Sequence, residues 1–324
     1  MIKRRQLMGH LAAAPLLASL PARAQSYPDK AIKIIVPLPP GSPPDVLARH
    51  LADAVGRNWK QPVVVENRPG ATGMIGLQAL ARSAPDGYTM GIMFLTHTVL
   101  PELIGPLPYN TATDFAPIAN LVWLYNVLVV PATSNIQTLQ DLIGRARAEP
   151  HALNYGSGGN GSPAHLVAES FCQASNVQMT HVPFKGPAEA VSALIGNQIT
   201  AMFATVPNAA ALVRSGKLRA IAVTSPQRLS ALPNVPTLTE AGVSGVELKE
   251  WEGLVAPAGT PKPIIDKWNQ ELFQILASGE LRAKLADLGM SVVPSHPSAD
   301  FAELIRKELD HWGKFVRSTG LRPS

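Results

Sequence analysis

Two Gly- and Pro-rich stretches carry the residues best suited to chemistry. The first holds Pro39, Pro40, Gly41, Ser42, Pro43, Pro44 and Asp45, and the second holds Ser157, Gly158, Gly159, Asn160, Gly161, Ser162 and Pro163. Each follows a short apolar run and precedes a helical pattern. Such a corner sets backbone N–H groups and hydroxyls at a helix N-terminus, where the helix dipole favours an anion. In the first, Ser42 reads as N-cap with Pro43 at the first helical position and Asp45 reaching back to the Ser42 N–H, a capping box. That leaves Gly41, the Ser42 N–H and the Ser42 hydroxyl as donors, and competes with a plain cap that only starts a helix. In the second, residues 156–161 spell G-x-G-x-x-G, but the next strand ends at Val182, Pro183, Phe184 and Lys185 with no acid placed for a ribose. Ser162 can cap the following helix, and the segment from Ser157 to Ser162 suits a carboxylate. The two corners lie far apart in sequence, so the economical reading is two lobes gripping one small anionic molecule.

Catalysis and metal binding find less support. No G-x-S-x-G elbow exists, and His50, His97, His151, His165, His181, His296 and His311 lack metal-ligand spacing, so neither a metal nor a cofactor is expected. A Ser-His-Asp group assembled in space keeps a cleft hydrolase or esterase as the rival reading. His97, between Thr96 and Thr98 after a strand, is the histidine expected to face a cleft, while His165 is expected to serve structure. Cys172 is the sole cysteine, within an apolar-periodic run, and reads as a buried inert thiol.

The elements that must position these loops alternate. Strands are predicted at 32–36, 62–66 and 88–95, with helices at 45–55 and 73–83 between them, the pattern of a parallel sheet covered by helices. An apolar run at 121–130 reads as a strand leaving the first lobe. Beyond it the alternation restarts, with helices at 138–148, 163–175, 188–196 and 208–215 and strands at 153–155, 178–182, 199–204 and 218–224. Residues 248–255 read as the strand that returns, followed by helices at 263–277, 280–288 and 299–317. The expected division is therefore 25–124 plus 247–324 as lobe 1 and 125–246 as lobe 2, with two hinge crossings and the cleft between them.

Residues 1–24 read as a secretory leader: Lys3, Arg4 and Arg5, an apolar stretch, then Ala22-Arg23-Ala24 before the cleavage point, with the export route open between general secretion and twin-arginine. Losing Lys3, Arg4, Arg5 and Arg23 takes the formal charge from +5 to about +1, so the basic balance belongs to targeting. No basic block or aromatic-basic pattern remains, and nucleic-acid binding is not expected.

From about Tyr27 onward the chain resembles the extracytoplasmic solute receptors of tripartite tricarboxylate transporters, the Bug family. The resemblance rests on residues 27–37, 61–71, 84–89, 107–110, 153–162, 181–186, 216–225 and 254–261. It implies a two-lobed α/β periplasmic binding protein, type II in topology, that holds a small organic carboxylate and delivers it to membrane permease subunits. It also implies a periplasmic location, and a shuttle of this kind is expected to be a monomer. A sensor presenting its loaded form to a membrane signalling partner is the other reading it leaves open. The implied ligand loops carry Gly41, Ser42 and Asp45; Gly70, Thr72 and Gly73; Thr96 and His97; Ser157 to Ser162; Phe184 and Lys185, the last adding long-range attraction. The chain departs from the family at Ser42, Pro43 and Pro44, where a glycine and two hydroxyl residues are usual. It departs again at Ala204 and Thr205, where the family often has Asp-Asn. Losing that acid points away from a ligand amino group and toward a less polar distal end, with Ala204, Thr205 and the Thr96 to Thr98 turn setting its shape.

Overall fold

The computed structural model describes residues 27–246 and 248–319. The leader reading falls on residues outside this range. In chain order the elements are β1 (Ile32–Val36), α1 (Pro43–Trp59), β2 (Val63–Asn67), α2 (Met74–Ala81), β3 (Thr89–Phe94), α3 (Thr96–Leu103) and β4 (Phe115–Leu124), all on the first lobe. The second lobe carries β5 (Asn126–Pro131), α4 (Leu139–Ala148), β6 (Asn154–Ser157), α5 (Pro163–Ser175), β7 (Thr180–Pro183), α6 (Pro187–Ile195), β8 (Ala201–Thr205), α7 (Val206–Arg214) and β9 (Leu218–Val223). The chain then returns through β10 (Glu250–Pro257), α8 (Lys262–Leu276), α9 (Gly279–Asp287), β11 (Met290–Val292) and α10 (Ser298–Thr319).

These strands form two sheets, one ordered β11-β4-β10-β3-β1-β2 and the other β7-β6-β8-β5-β9. The βαβ units give parallel pairs, β1 with β2 and β3, and β6 with β7 and β8. Both sheets are nevertheless mixed. The strands at the crossings run antiparallel: β10 against β3 and β4, and β5 against β8 and β9. A strand that has just come from the other lobe enters its sheet from the cleft end, opposite to strands that end there.

The apolar run at 121–130 is not one strand. It breaks at Tyr125, between β4 in one sheet and β5 in the other, and the Tyr125 carbonyl accepts the Val206 N–H at 3.0 Å. Continuous apolarity hid the break because both halves are buried: Leu121, Val122 and Leu124 in the first lobe, Val127 to Val130 in the second. Helix α3 was also hidden. Thr96, Thr98 and Val99 are β-branched and Pro101 sits inside, all poor helix formers. Burial decides instead, since Val99, Leu100 and Leu103 face the core, and Arg317 of α10 pairs with Glu102 at 2.7 Å.

The outer face of the first sheet is closed by α1 and α8. Trp268, fully buried, donates its Nε1–H to the Tyr27 hydroxyl at 2.6 Å and meets Trp59 edge-on at 4.7 Å. Replacing Trp268 by Ala removes that packing and should lower stability by about 3–5 kcal/mol, measured by urea unfolding. A loss under about 1 kcal/mol would mean that α8 does not anchor the lobe.

Candidate functional site

The first corner closes upon itself. Asp45, 2% exposed, accepts the Gly41 N–H on Oδ2 at 2.8 Å and the Asn67 Nδ2–H on Oδ1 at 2.8 Å, and pairs with Arg49 at 2.9 Å. Burial pushes its carboxyl up, yet the bonds from Arg49, Gly41 and Asn67 together hold it below the ordinary carboxylate range. The predicted capping box is absent: Asp45 reaches Gly41 rather than Ser42, and the Ser42 N–H and hydroxyl both point to the Pro39 carbonyl, at 3.3 and 2.7 Å. All three donors assigned to an anion at Gly41 and Ser42 are therefore spent inside the loop. This corner is a brace, because two prolines stiffen the helix start and a buried carboxylate ties it to β2.

The Thr96 to Thr98 turn is likewise interior. It forms the first turn of α3, with Thr96, His97 and Thr98 each no more than 1% exposed. His97 does not face a cleft. Its Nδ1 lies 3.2 Å from the Phe94 N–H, and its buried Nε2 abuts Gly73, 2.6 Å from where a Cβ on that residue would sit. Burial pushes the imidazole down to about 3, so it is neutral. Gly70, Ala71, Thr72 and Gly73 all have positive φ, at 128°, 47°, 55° and 92°. For Ala71 and Thr72 that conformation is strained, and the fit of His97 against Gly73 leaves no room for a side chain there.

The glycine loop between β6 and α5 is different. Ser157 Oγ accepts the Gly159 N–H at 3.1 Å, donates to the Gly159 carbonyl at 3.0 Å and lies 2.7 Å from His181 Nε2. The Gly161 N–H donates to His165 Nδ1 at 3.1 Å, and the Ser162 N–H to the Gly159 carbonyl at 3.1 Å. Two histidines thus hold the two ends of the loop, and they stack on each other at 3.9 Å with planes 8° apart. Tyr155, bonded to Glu169, stacks on His181 at 5.0 Å. A structural role is expected for His165, but its pairing with His181 is not, because residues 16 positions apart on a helix and a strand share no spacing rule.

What remains open on this loop is concentrated at the start of α5. The expected cap by Ser162 is not made: its Oγ is buried without a partner, so the first-turn N–H groups of α5 keep no side-chain acceptor. The Gly158 N–H has no acceptor among the described residues. One strand away in the same sheet, β8 ends at Thr205, the N-cap of α7, whose Oγ1 is also buried and unpartnered. Strands β6 and β8 are parallel neighbours, so both helix starts lie at the same edge, beyond the carboxyl ends of the strands. Ala204 is fully buried in that strand and only its neighbour Thr205 offers a polar atom. Phe184 and Lys185 contribute little: the Phe184 N–H bonds Ser157 O at 3.0 Å, the Lys185 N–H bonds Glu189 at 3.0 Å, and the Lys185 side chain is exposed.

The lobes meet at this loop. A Cβ on Gly161 would overlap Leu103 Cδ2 of α3 and approach Val99, so lobe 2 lays its glycine loop on the first lobe's third helix. Cavities of about 330 Å³, lined by Leu229, Arg282, Met290 and neighbours, and about 300 Å³, lined by Arg147, Asn176 and neighbours, lie away from it. Three residues that sequence reasoning passed over, Asn126, Glu250 and Glu252, form a buried polar cluster at the crossings. Burial pushes Glu250 up to about 8 and Glu252 well above the ordinary range. Cys172 is buried as expected, burial pushing its thiol up to about 12. Among the described residues no helix is long and apolar enough to cross a membrane, and no group of three or more His, Cys, Asp or Glu side chains could hold a metal ion.

Comparison with known proteins gives a consistent answer. The model of the tripartite tricarboxylate transporter family receptor matches residues 47–321. The chain is 36% identical over 303 residues to a Cupriavidus necator protein described as a UPF0065 protein in the gbd 5' region, covering 90% of each. It is 34% identical over 307 residues to the protein BugT of Bordetella pertussis, covering 93% of each. Among solved structures it is similar to R. palustris Rpa4515 with adipate (TM-score 0.86, 30% identity, 92% of this chain and 100% of that one). It is also similar to the periplasmic binding protein BugD (TM-score 0.82, 30% identity, 92% and 100%) and to MatC from Rhodopseudomonas palustris with bound malate (TM-score 0.81, 30% identity, 90% and 100%). The fold is that of the two-lobed periplasmic binding proteins.

The histidine stack makes a pH prediction. Burial holds His165 at about 3 and His181 at about 4, below the ordinary value of about 6.5. The unfolded chain therefore takes up protons first as pH falls. Stability that these groups contribute in full above pH about 6.5 is lost progressively between about 6.5 and 3. His165→Asn keeps an acceptor for the Gly161 N–H but does not titrate. Its stability relative to the parent should improve from pH about 7 to 4.5, by at most about 1.4 kcal/mol per pH unit, in urea unfolding at stepped pH. A difference that does not change with pH would contradict a neutral, buried His165.

Proposed function

The chain belongs to the tripartite tricarboxylate transporter receptor family, and from that premise we propose that it clamps a small organic carboxylate between its lobes and delivers it to membrane permease subunits. Lobe 1 comprises 25–124 with 247–324 and lobe 2 comprises 125–246. The mature protein is a periplasmic monomer, cut from its leader near Ala24, and returns its solute unaltered. The observation that carries this reading is the open start of α5, with an uncapped helix end, an unpartnered buried Ser162 hydroxyl and a free Gly158 N–H together. Buried polar atoms are rarely left unpaired, and a carboxylate would accept from all three at the positive end of a dipole. Relatives whose structures hold adipate and malate support a carboxylate as the solute.

In this reading the carboxylate is held from lobe 2 by Gly158, Ser162 and the first turn of α5, with Thr205 beside it. The first lobe supplies the wall, α3, and the braced corner at Gly41 to Asp45 keeps its edge rigid. Closure follows from binding, because a ligand that touches both lobes favours the shut state by its extra contacts. Hydrolysis is not favoured. The Ser157 hydroxyl, though 2.7 Å from His181, is fully buried and already donates to Gly159, so it is spent on the loop's shape.

Calorimetric titration with mono-, di- and tricarboxylates should give saturable binding to the mature protein stripped of ligand. Silence across the panel in a folded protein would sink the receptor reading. Ser162→Ala and Thr205→Val should each weaken binding about tenfold while leaving urea stability unchanged or slightly raised, since each removes an unpaired buried hydroxyl. Unaltered affinity in both variants would show that the carboxylate sits elsewhere.

A further inference from the structure

At the two crossings between the lobes lies a buried polar cluster. Strand β10 begins at Glu250, and Glu250 and Glu252 share one face of it, while Trp251 turns to the other and meets Phe301 edge-on at 5.3 Å. Both carboxylates are nearly sealed, at 8% and 5% exposed. Asn126, fully buried at the start of β5, donates its Nδ2–H to Glu250 Oε1 at 2.6 Å. Its own Oδ1 has no donor, and neither has Glu252 Oε2.

Strand register sets the neighbours of the cluster. Asn126 stands opposite Thr205 in the sheet register, and Glu252 stands opposite Phe94, whose ring lies 4.1 Å from that of His97. Thr205 is the N-cap whose hydroxyl was left open beside α5. The cluster therefore adjoins the carboxylate site, on the side away from the glycine loop.

The atoms left without a partner are two oxygens, Asn126 Oδ1 and Glu252 Oε2. Among the described residues no Lys, Arg or His nitrogen pairs with Glu250 or Glu252, and the nearest cation in sequence, Lys249, lies over the Trp123 ring at 3.8 Å. Without a counter-ion, burial keeps these two carboxyls neutral in the empty protein, and ionising them requires a group that supplies both charge and donors. A protonated amine does both, carrying three N–H donors and a positive charge. We propose that Glu250, Glu252 and Asn126 form the amine-binding end of the ligand site, so that the solute is a small molecule bearing an ammonium group as well as a carboxylate. This rests on the receptor reading and names its substrate class. It reverses the expectation drawn from Ala204, because an acid reaches the cleft from β10 instead of from the end of β8.

The test uses matched probes that differ by the amine alone: glutamate against glutarate, aspartate against succinate, and γ-aminobutyrate against butyrate, titrated into the mature protein by calorimetry. At least one amine-bearing member should bind ten-fold or more tighter than its partner, and in Glu252→Gln that ratio should collapse toward one. Urea unfolding of the empty variant serves as the folding control. It should be at least as stable as the parent, since a buried carboxyl without a counter-ion has gone, and Glu250→Gln provides the second variant. If the amine-free acids bind and the amine adds nothing, the inference is overturned while the receptor reading stands. If no carboxylate binds at all, the receptor reading fails and this inference fails with it. If calcium chloride alone raises the melting temperature and Glu252→Gln abolishes that rise, the cluster is a metal site and the inference is overturned.

Discussion

Hydrogen-bond satisfaction governs this molecule. At the first corner the loop matches its own donors, while the buried hydroxyls of Ser162 and Thr205, at the helix starts that follow two neighbouring strands, have no partner. At the first corner, Asp45 collects Gly41, Asn67 and Arg49, leaving no donor for an external anion. At the glycine loop the same economy serves Ser157, Gly159 and Gly161 but stops at Gly158 and Ser162. A loop that could satisfy itself completely would be a turn; one that stops short at a helix N-terminus is a receptor for negative charge.

That selectivity depends on stiffness. A glycine-rich loop left to itself would turn its amides toward water or its own carbonyls, because glycine restricts the backbone so little. Here His165 and His181 fix it from behind. Both are neutral, His165 buried and His181 half-buried, and each satisfies one polar atom of the loop. The histidines act by holding donors in place rather than by touching a solute. The contact of Gly161 with Leu103 adds the other lobe to the same frame.

Much of the architecture was legible because hydrophobic period and Gly/Pro punctuation report local structure directly. The βαβ units from Ile32 to Asn67 and from Asn154 to Pro183 follow from such patterns, and so does the glycine loop. What escaped was set by distance in space. The break at Tyr125 lies inside an unbroken apolar run, and only the pairing of Leu124 with Glu250 and of Asn126 with Thr205 reveals it. Helix α3 forms against propensity, and His97 faced inward because Gly73 leaves a space that fits an imidazole. Nothing local marks the acids at 250 and 252 as interior, yet β10 is buried along its whole length.

The central claim is that a solute carboxylate occupies the start of α5. A crystal structure of the mature protein with a bound dicarboxylate tests it most directly. The account predicts a carboxylate oxygen within hydrogen-bond distance, about 3 Å, of both Gly158 N and Ser162 Oγ. A carboxylate resting instead on Gly41 and Ser42, with the start of α5 empty, would contradict it.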